Sequence, residues 1–157
     1  MQDSDIKQNF LNSMRGITST VNVISATAEG NRHAMTATSV TSLSLDPPSM
    51  LVCINKEASL HKILLDNSNF CINVLSSLQK ELAEVCSNSE EGESRFVSES
   101  WKNLGPYIYN EEALSNIFCT KTNQVDHTSH TIFIGSVERV INSPDLKPLL
   151  YGSGGYL

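Results

Sequence analysis

Residues 35–55, MTATSVTSLSLDPPSMLVCIN, combine a hydroxyl-rich strand, a double-proline break and an apolar strand. The hydroxyl side chains of the first part belong to Thr36, Thr38, Ser39, Thr41, Ser42 and Ser44. Small side chains let a flat ligand lie close to the backbone, and their hydroxyls and the neighbouring amides can bind its polar edge. Threonine and serine are also ordinary residues of a half-exposed strand, so the composition of this stretch leaves both interpretations open.

The sequence on either side predicts a mainly β protein. Ile6, Phe10, Met14 and Ile17 recur at helical spacing, which predicts a first helix capped by Asp3 or Ser4 and packed against a sheet. Short helices are predicted from Ser59 and around residues 78–85. Strands are predicted over residues 18–27, 33–45, 50–54, 70–75, 113–122, 130–141 and 149–151. About seven strands without regular strand–helix alternation favour a closed or partly closed β-barrel with short helices.

The length of 157 residues suits one domain, residues 1–157, with a core of its own. Residues 87–100 are rich in serine, glutamate, glycine and asparagine, which predicts a mobile surface loop and a candidate lid. The rest of the chain contains no such excursion of comparable length. We therefore expect one compact unit with one mobile segment.

Charge and hydropathy disfavour several functions. A net charge of −6 without a basic cluster disfavours a nucleic-acid surface. The longest apolar run, Met50 to Ile54, is too short to cross a bilayer, and the acidic N-terminus has no secretory signal, so a cytoplasmic protein is expected. The cysteines are far apart and form no CxxC pair, which disfavours a zinc site or a redox dithiol.

Residues 126–130, DHTSH, invite comparison with a metal site because two imidazoles and a carboxylate lie close together. Within one strand, however, His127 and His130 would point to opposite faces. Further ligands are not evident in the sequence. We therefore expect no metal here.

Residues 55–59, NKEAS, place an amide, an ammonium and a hydroxyl just before a predicted helix. The N-terminal amides of a helix favour anions, to which Lys56 would add charge and Ser59 a directed hydrogen bond. Alternatively, Lys56 is a solvated surface residue and Ser59 only a cap. Neither a GxGxxG turn nor a P-loop is present, so a dinucleotide would have to be held without a Rossmann domain.

Four stretches, together with Arg95-Phe96 and Trp101, resemble the flavin reductase family: residues 33–64, 69–87, 129–140 and 148–157. This family includes the reductase components of two-component flavin-dependent monooxygenases. The resemblance implies an FMN-binding split barrel, and a homodimer that binds flavin near the subunit interface.

The resemblance also implies roles for individual residues. The segment that matches the family's isoalloxazine-binding stretch contains Thr36, Ala37, Thr38, Ser39, Val40 and Ser42. The flavin tail would be held by Asn55, Lys56 and Ser59, with Arg95 as a weaker candidate for the phosphate. His130 would position the nicotinamide, and Tyr151 would lie near the site. Because Ser129 replaces the family's usual acid and Asp126-His127 lies just upstream, the choice between His127 and His130 stays open.

The implied activity is NAD(P)H:flavin oxidoreduction, a direct hydride transfer that needs no protein nucleophile or general base. FMN is preferred over FAD by family precedent, and the sequence does not choose NADH over NADPH. Reduced flavin would serve a separate oxygenase component or another acceptor. The alternatives are a flavin carrier or sensor without turnover and an unrelated structural barrel.

Overall fold

The computed structural model describes residues 2–144 and 147–157. The helices are α1 (Asp3–Arg15), α2 (Ser59–Asp66) and α3 (Lys80–Ser87), with a 3₁₀ helix at Gly92–Phe96. The strands are β1 (Ser19–Thr20), β2 (Asn22–Ala28), β3 (Asn31–Ala37), β4 (Val40–Leu45), β5 (Pro48–Asn55), β6 (Asn69–Val74), β7 (Trp101–Leu104), β8 (Tyr107–Asn110), β9 (Ser115–His127), β10 (His130–Asn142), β11 (Leu150–Gly152) and β12 (Gly155–Tyr156).

The main sheet has seven antiparallel strands in the order β3-β2-β6-β9-β10-β5-β4. Its two edge strands, β3 and β4, follow one another in sequence and are joined by Thr38 and Ser39 alone. Three Cα steps reach at most about 11 Å. The edges of a flat seven-stranded sheet lie roughly 29 Å apart. The sheet must therefore curl until its edges meet, which confirms the predicted β-barrel.

The core lies on both sides of this curled sheet. Ile24 of β2 belongs to a cluster with Phe70 and Phe133 that also includes Leu60 and Leu64 of α2. The neighbouring residue of β2, Val23, belongs to a second cluster. That cluster also contains Ala83, Cys86, Phe96, Trp101 and Ile108. Since successive side chains of a strand point to opposite faces, one face of β2 lines the barrel and the other is covered by α3 and the β7–β8 hairpin.

The predicted strand over residues 33–45 is wrong as a single element. Its first part, β3, pairs with β2, and its second part, β4, pairs with β5 at the other edge. The double proline ends one strand of a hairpin and begins the next, since Leu45 pairs directly with Pro48. The Asp46–Pro47 peptide bond in this turn is cis.

Helix α1 is where we predicted a helix, but only its C-terminal end lies beside a sheet of its own chain, where Leu11 and Met14 share a pocket with Tyr151 of β11. No residue of α1 is buried, and Ile6, Phe10, Leu11 and Met14 are between 40% and 59% exposed. The predicted caps were also wrong, because the N-cap residue is Gln2. The apolar stripe predicted from the spacing is thus present, and within one chain it faces outward.

The segment 87–100 contains the 3₁₀ helix and is fixed at its C-terminal half. The Phe96 ring packs against Trp101 at an interplanar angle of 57° with ring centroids 4.8 Å apart, and both side chains are buried. The Trp101 indole N–H donates to the Arg95 carbonyl at 2.9 Å. Motion of this segment and the assignment of residues 1–157 to one domain stay predictions. None of the helices in the described residues is long and apolar enough to span a bilayer.

We expect Gly135→Ala to lower the free energy of unfolding by about 1–3 kcal/mol, because an added methyl group overpacks the core. A Cβ at this position would lie 2.8 Å from Phe70 Cζ and 2.9 Å from Cys119 Cβ. Gly155→Ala is the matched control, since nothing lies within 4 Å of its added Cβ. Urea denaturation should show a change within about 0.5 kcal/mol for the control. Equal stability of both variants would contradict the described packing at Gly135.

Candidate functional site

Two hydroxyls of the bend between β3 and β4, and one at the third position of β4, are not used by the fold. Thr38, Ser39 and Ser42 are exposed. Within residues 2–144 and 147–157, their side-chain oxygens have no hydrogen-bond partner. They are therefore available to a ligand that lies along the bend.

Two other residues of the predicted ring-binding stretch serve the fold. The Thr36 hydroxyl donates to the Ala83 carbonyl of α3 at 2.7 Å. Ala37 is 9% exposed and belongs to the barrel core, and its carbonyl accepts from Asn22 Nδ2 at 3.3 Å. Val40 is half-buried against the same core. A ligand at this bend would therefore meet the backbone of Ala37 rather than its side chain.

The predicted phosphate segment lies beside this bend. The amide of Cys53 donates to the Ser39 carbonyl at 3.0 Å, and β5 ends two residues later at Asn55. Helix α2 then begins with Ala58 at the N-cap, where no side chain caps the helix. The Ala58 carbonyl accepts from the His61 amide at 3.0 Å. The amides of Ser59 and Leu60 come before it and have no partner inside the helix, and an alanine side chain cannot satisfy them. Exposed Lys56 and Ser59 flank these amides, so this end of α2 presents positive charge and hydrogen-bond donors.

The β9–β10 hairpin brings His130 to the same end of the barrel. His130 pairs with Asn55 of β5 on one side and with His127 of β9 on the other. Its Nδ1 lies 2.8 Å from Ser129 Oγ, and the Ser129 carbonyl accepts from the Lys56 amide at 2.9 Å. His130 is thus one strand closer to Asn55 than His127 is.

The expectation that His127 and His130 point to opposite faces was wrong. They belong to two strands rather than one and lie directly opposite each other across the hairpin. Cross-strand partners share a face of the sheet. Even so, the described residues contain no group of three or more His, Cys, Asp or Glu side chains that could hold a metal ion.

A polar relay beneath Lys56 was not predicted from the sequence. Lys56 Nζ lies 3.8 Å from Asp126 Oδ1, which accepts from Thr131 Oγ1 at 2.8 Å. Thr131 Oγ1 lies 2.7 Å from Nε2 of His61 in α2. Burial lowers the pKa of His61, and the charge of Lys56 lowers it further, while Asp126 opposes both effects. The spacing of these residues along the sequence gave no sign that they meet.

Tyr151 lies on the other side of the bend. It shares an open pocket of about 460 Å³ with Thr36, Ala37 and Thr38. Tyr156 also lines this pocket and packs edge-on against Tyr151, with centroids 5.4 Å apart. Tyr156 was not singled out from the sequence, although it ends the glycine-rich hairpin that forms this wall.

The role of Arg95 as a phosphate ligand stays a prediction, although its side chain already has partners in the fold. Its side chain is only 7% exposed, and it donates to the carbonyls of Ala34 at 2.9 Å and Asn88 at 2.5 Å. The guanidinium therefore joins the segment that contains the 3₁₀ helix to β3 by hydrogen bonds. Its charge is directed to backbone carbonyls rather than to the end of α2.

Comparison with known proteins agrees with this arrangement. A family model described as a flavin reductase-like domain matches residues 14–157. The reductase component of an FADH₂-dependent resorcinol hydroxylase from Rhizobium sp. (strain MTP-10005) is 38% identical over 154 residues, which are 96% of this chain and 86% of that protein. The NADH-dependent FMN reductase RutF of Enterobacter cloacae is 30% identical over 96% of this chain and 92% of the relative.

Among solved structures, the flavin reductase PheA2 in its native state superposes with a TM-score of 0.88 at 31% identity. The match covers 100% of this chain and 97% of PheA2. Sequence and fold thus agree over almost the whole length of both proteins. The chain belongs to the flavin reductase-like domain family.

Proposed function

We propose that the protein is an NAD(P)H:flavin oxidoreductase that supplies reduced flavin to a separate oxygenase component or another acceptor. The relatives that are named as an FMN reductase (NADH) and as the reductase component of a hydroxylase support this activity. In this chain, the observation that supports it most strongly is the position of the unused hydroxyls of the bend beside the uncapped start of α2. A flavin mononucleotide has a polar ring, which the hydroxyls can bind, and an anionic phosphate, which the start of α2 can bind.

The residues present fit a flavin, which when bound supplies the hydride-accepting chemistry. Thr38, Ser39 and Ser42 would bind the polar edge of its ring. Lys56, Ser59 and the first amides of α2 would hold its phosphate, and Asn55 holds this loop in shape because its Oδ1 accepts from the Glu57 amide at 2.9 Å.

Two further residues would serve the nicotinamide and shield the site. His130 is the first residue of β10 and lies beside Asn55, where it would position the dinucleotide. Tyr151 would cover the pocket at the bend and exclude water from it. The protein thus contributes distance, orientation and shielding, in agreement with the lack of a Ser/His/Asp or Cys/His constellation among the predicted site residues.

Several finer assignments are part of the proposal. FMN is the preferred flavin and FAD the alternative, and either NADH or NADPH serves as reductant. The protein is placed in the cytoplasm. A homodimer is proposed because α1 exposes an apolar stripe that its own chain leaves uncovered, and a helix of this length is marginal in water without tertiary packing.

Anaerobic mixing of the protein with FMN and NADH should bleach the yellow flavin absorbance at a rate that depends on protein concentration. Repeating the assay with FAD in place of FMN shows which flavin is reduced faster. Repeating it with NADPH in place of NADH shows which nucleotide is the better reductant. Flavin that binds tightly but keeps its colour would contradict the reductase and favour a carrier or sensor. A flavin spectrum that does not change on addition of protein would contradict both.

Lys56→Ala should raise the Kd for FMN roughly tenfold, because a charge-assisted hydrogen bond to the phosphate is lost. Riboflavin has the same ring but no phosphate, so its affinity should not change. Lys62→Ala is the matched control, since Lys62 is an exposed lysine of α2 outside the loop. Fluorescence titration measures both ligands. An equal rise in the Kd for FMN and for riboflavin would show that Lys56 does not bind the phosphate.

Sedimentation velocity should give twice the chain mass of 17.2 kDa. Phe10→Glu should shift the protein toward the monomer, because it places a charge in the apolar stripe of α1. Asn12→Glu adds the same charge to the opposite face of the helix and should leave the dimer intact. A wild-type monomer, or dimers that tolerate Phe10→Glu, would contradict an interface through α1.

A further inference from the structure

The His61–Thr131–Asp126 relay ends at Lys56, the lysine that we propose for the flavin phosphate. Three elements contribute to it: α2 provides His61, β10 provides Thr131 and β9 provides Asp126. His61 and Thr131 are 7% and 0% exposed, whereas the Asp126 side chain is 67% exposed. A buried pair thus orients a carboxylate at the surface.

The direction of the hydrogen bonds follows from the groups involved. The Asp126 carboxylate can only accept, so the single hydroxyl proton of Thr131 points to Oδ1. The Thr131 oxygen must then accept from His61, which places a proton on His61 Nε2. The ring of His61 is held in turn against Phe133, with centroids 5.6 Å apart. Thr131 is therefore fixed from both sides.

At the end of the relay, Lys56 and Asp126 form an ion pair without a direct hydrogen bond. Lys56 Nζ lies 3.8 Å from Asp126 Oδ1, whereas a direct ammonium–carboxylate hydrogen bond is about 2.7–2.9 Å long. The same oxygen, Oδ1, already accepts from Thr131. The carboxylate is close enough to attract the ammonium without occupying its donors.

We propose that Thr131, oriented by His61, is a positioning residue that keeps the Asp126 carboxylate from closing on Lys56, so that the ammonium stays available to the flavin phosphate. This inference rests on the proposed function. Without the Thr131 hydroxyl, the exposed Asp126 side chain is free to rotate toward Lys56 and to compete with the phosphate. In the part of the chain that the structure describes, no hydrogen bond joins Thr38, Ser39 or Ser42 to the relay, so only ligands with a phosphate should depend on it.

The test compares FMN with riboflavin in variants of Thr131. Thr131→Val should raise the Kd for FMN roughly two- to fivefold, the range expected for an exposed ion pair, and leave the Kd for riboflavin unchanged. Thr131→Ser keeps the hydroxyl and should bind FMN like the wild type. Riboflavin binding also reports that each variant is folded. If Thr131→Val raised the Kd for FMN and the Kd for riboflavin by the same factor, Thr131 would act through packing, and the inference would be overturned.

A second substitution tests whether the effect passes through Asp126. In the Thr131→Val background, Asp126→Asn removes the competing charge and should restore FMN affinity. Failure to restore it would overturn the inference while leaving the proposed function intact. A wild type that binds neither flavin would overturn the proposed function and this inference with it.

A pair of variants at His61 tests the relay independently of Thr131. His61→Gln can still donate an N–H to the Thr131 oxygen and should keep the FMN affinity of the wild type. His61→Leu cannot donate, and should weaken FMN selectively. Equal FMN affinity in these two variants would overturn the role of His61.

Discussion

Two residues, Thr38 and Ser39, connect the opposite edges of a seven-stranded sheet. This connection is possible only if the sheet curls on itself, since so short a segment cannot cross a flat sheet of this width. The same constraint places Thr38 and Ser39 outside both strands. A strand inside the sheet has neighbours on both sides, but here the chain leaves one ladder before it joins the other. The side chains of Thr38 and Ser39 are exposed there, so that their hydroxyls are left for a ligand.

The rest of the candidate site is collected at this end of the barrel by strand pairing. Strand β5 runs beside the bend and ends at Asn55, and the tip of the β9–β10 hairpin pairs with its last residue. Helix α2 starts immediately afterwards without a side-chain cap. Lys56 therefore lies between the first amides of α2, which are hydrogen-bond donors, and the carboxylate of Asp126. The site therefore presents a net attraction for an anion only as long as that carboxylate is held back.

Much of the fold could be predicted because its signals are local. Apolar runs predicted β5, β6 and β10 with small errors at their ends, and helical spacing predicted α1 and α2. The division of residues 33–45 between two edges could not be predicted in this way, because both halves have the same strand-like composition and only pairing distinguishes them. The environment of α1 was mispredicted because an apolar stripe does not say whether its own chain or a second one covers it.

The site was predicted in part for the same reason. The family resemblance pointed to the bend and to residues 55–59, which are continuous in sequence. The hydrogen bonds of Arg95 to the carbonyls of Ala34 and Asn88 could not be predicted, because they depend on tertiary packing. The relay from His61 to Asp126 links residues that are 70 and 5 positions apart, and no spacing rule identifies such a set.

The most direct test of the central claim is a crystal structure of the protein with bound FMN. The isoalloxazine should lie along Thr38–Val40, and the phosphate should contact Lys56, Ser59 and the first amides of α2. An FMN molecule bound elsewhere, with the bend covered by side chains of the protein itself, would contradict the assignment of this end of the barrel as the flavin site.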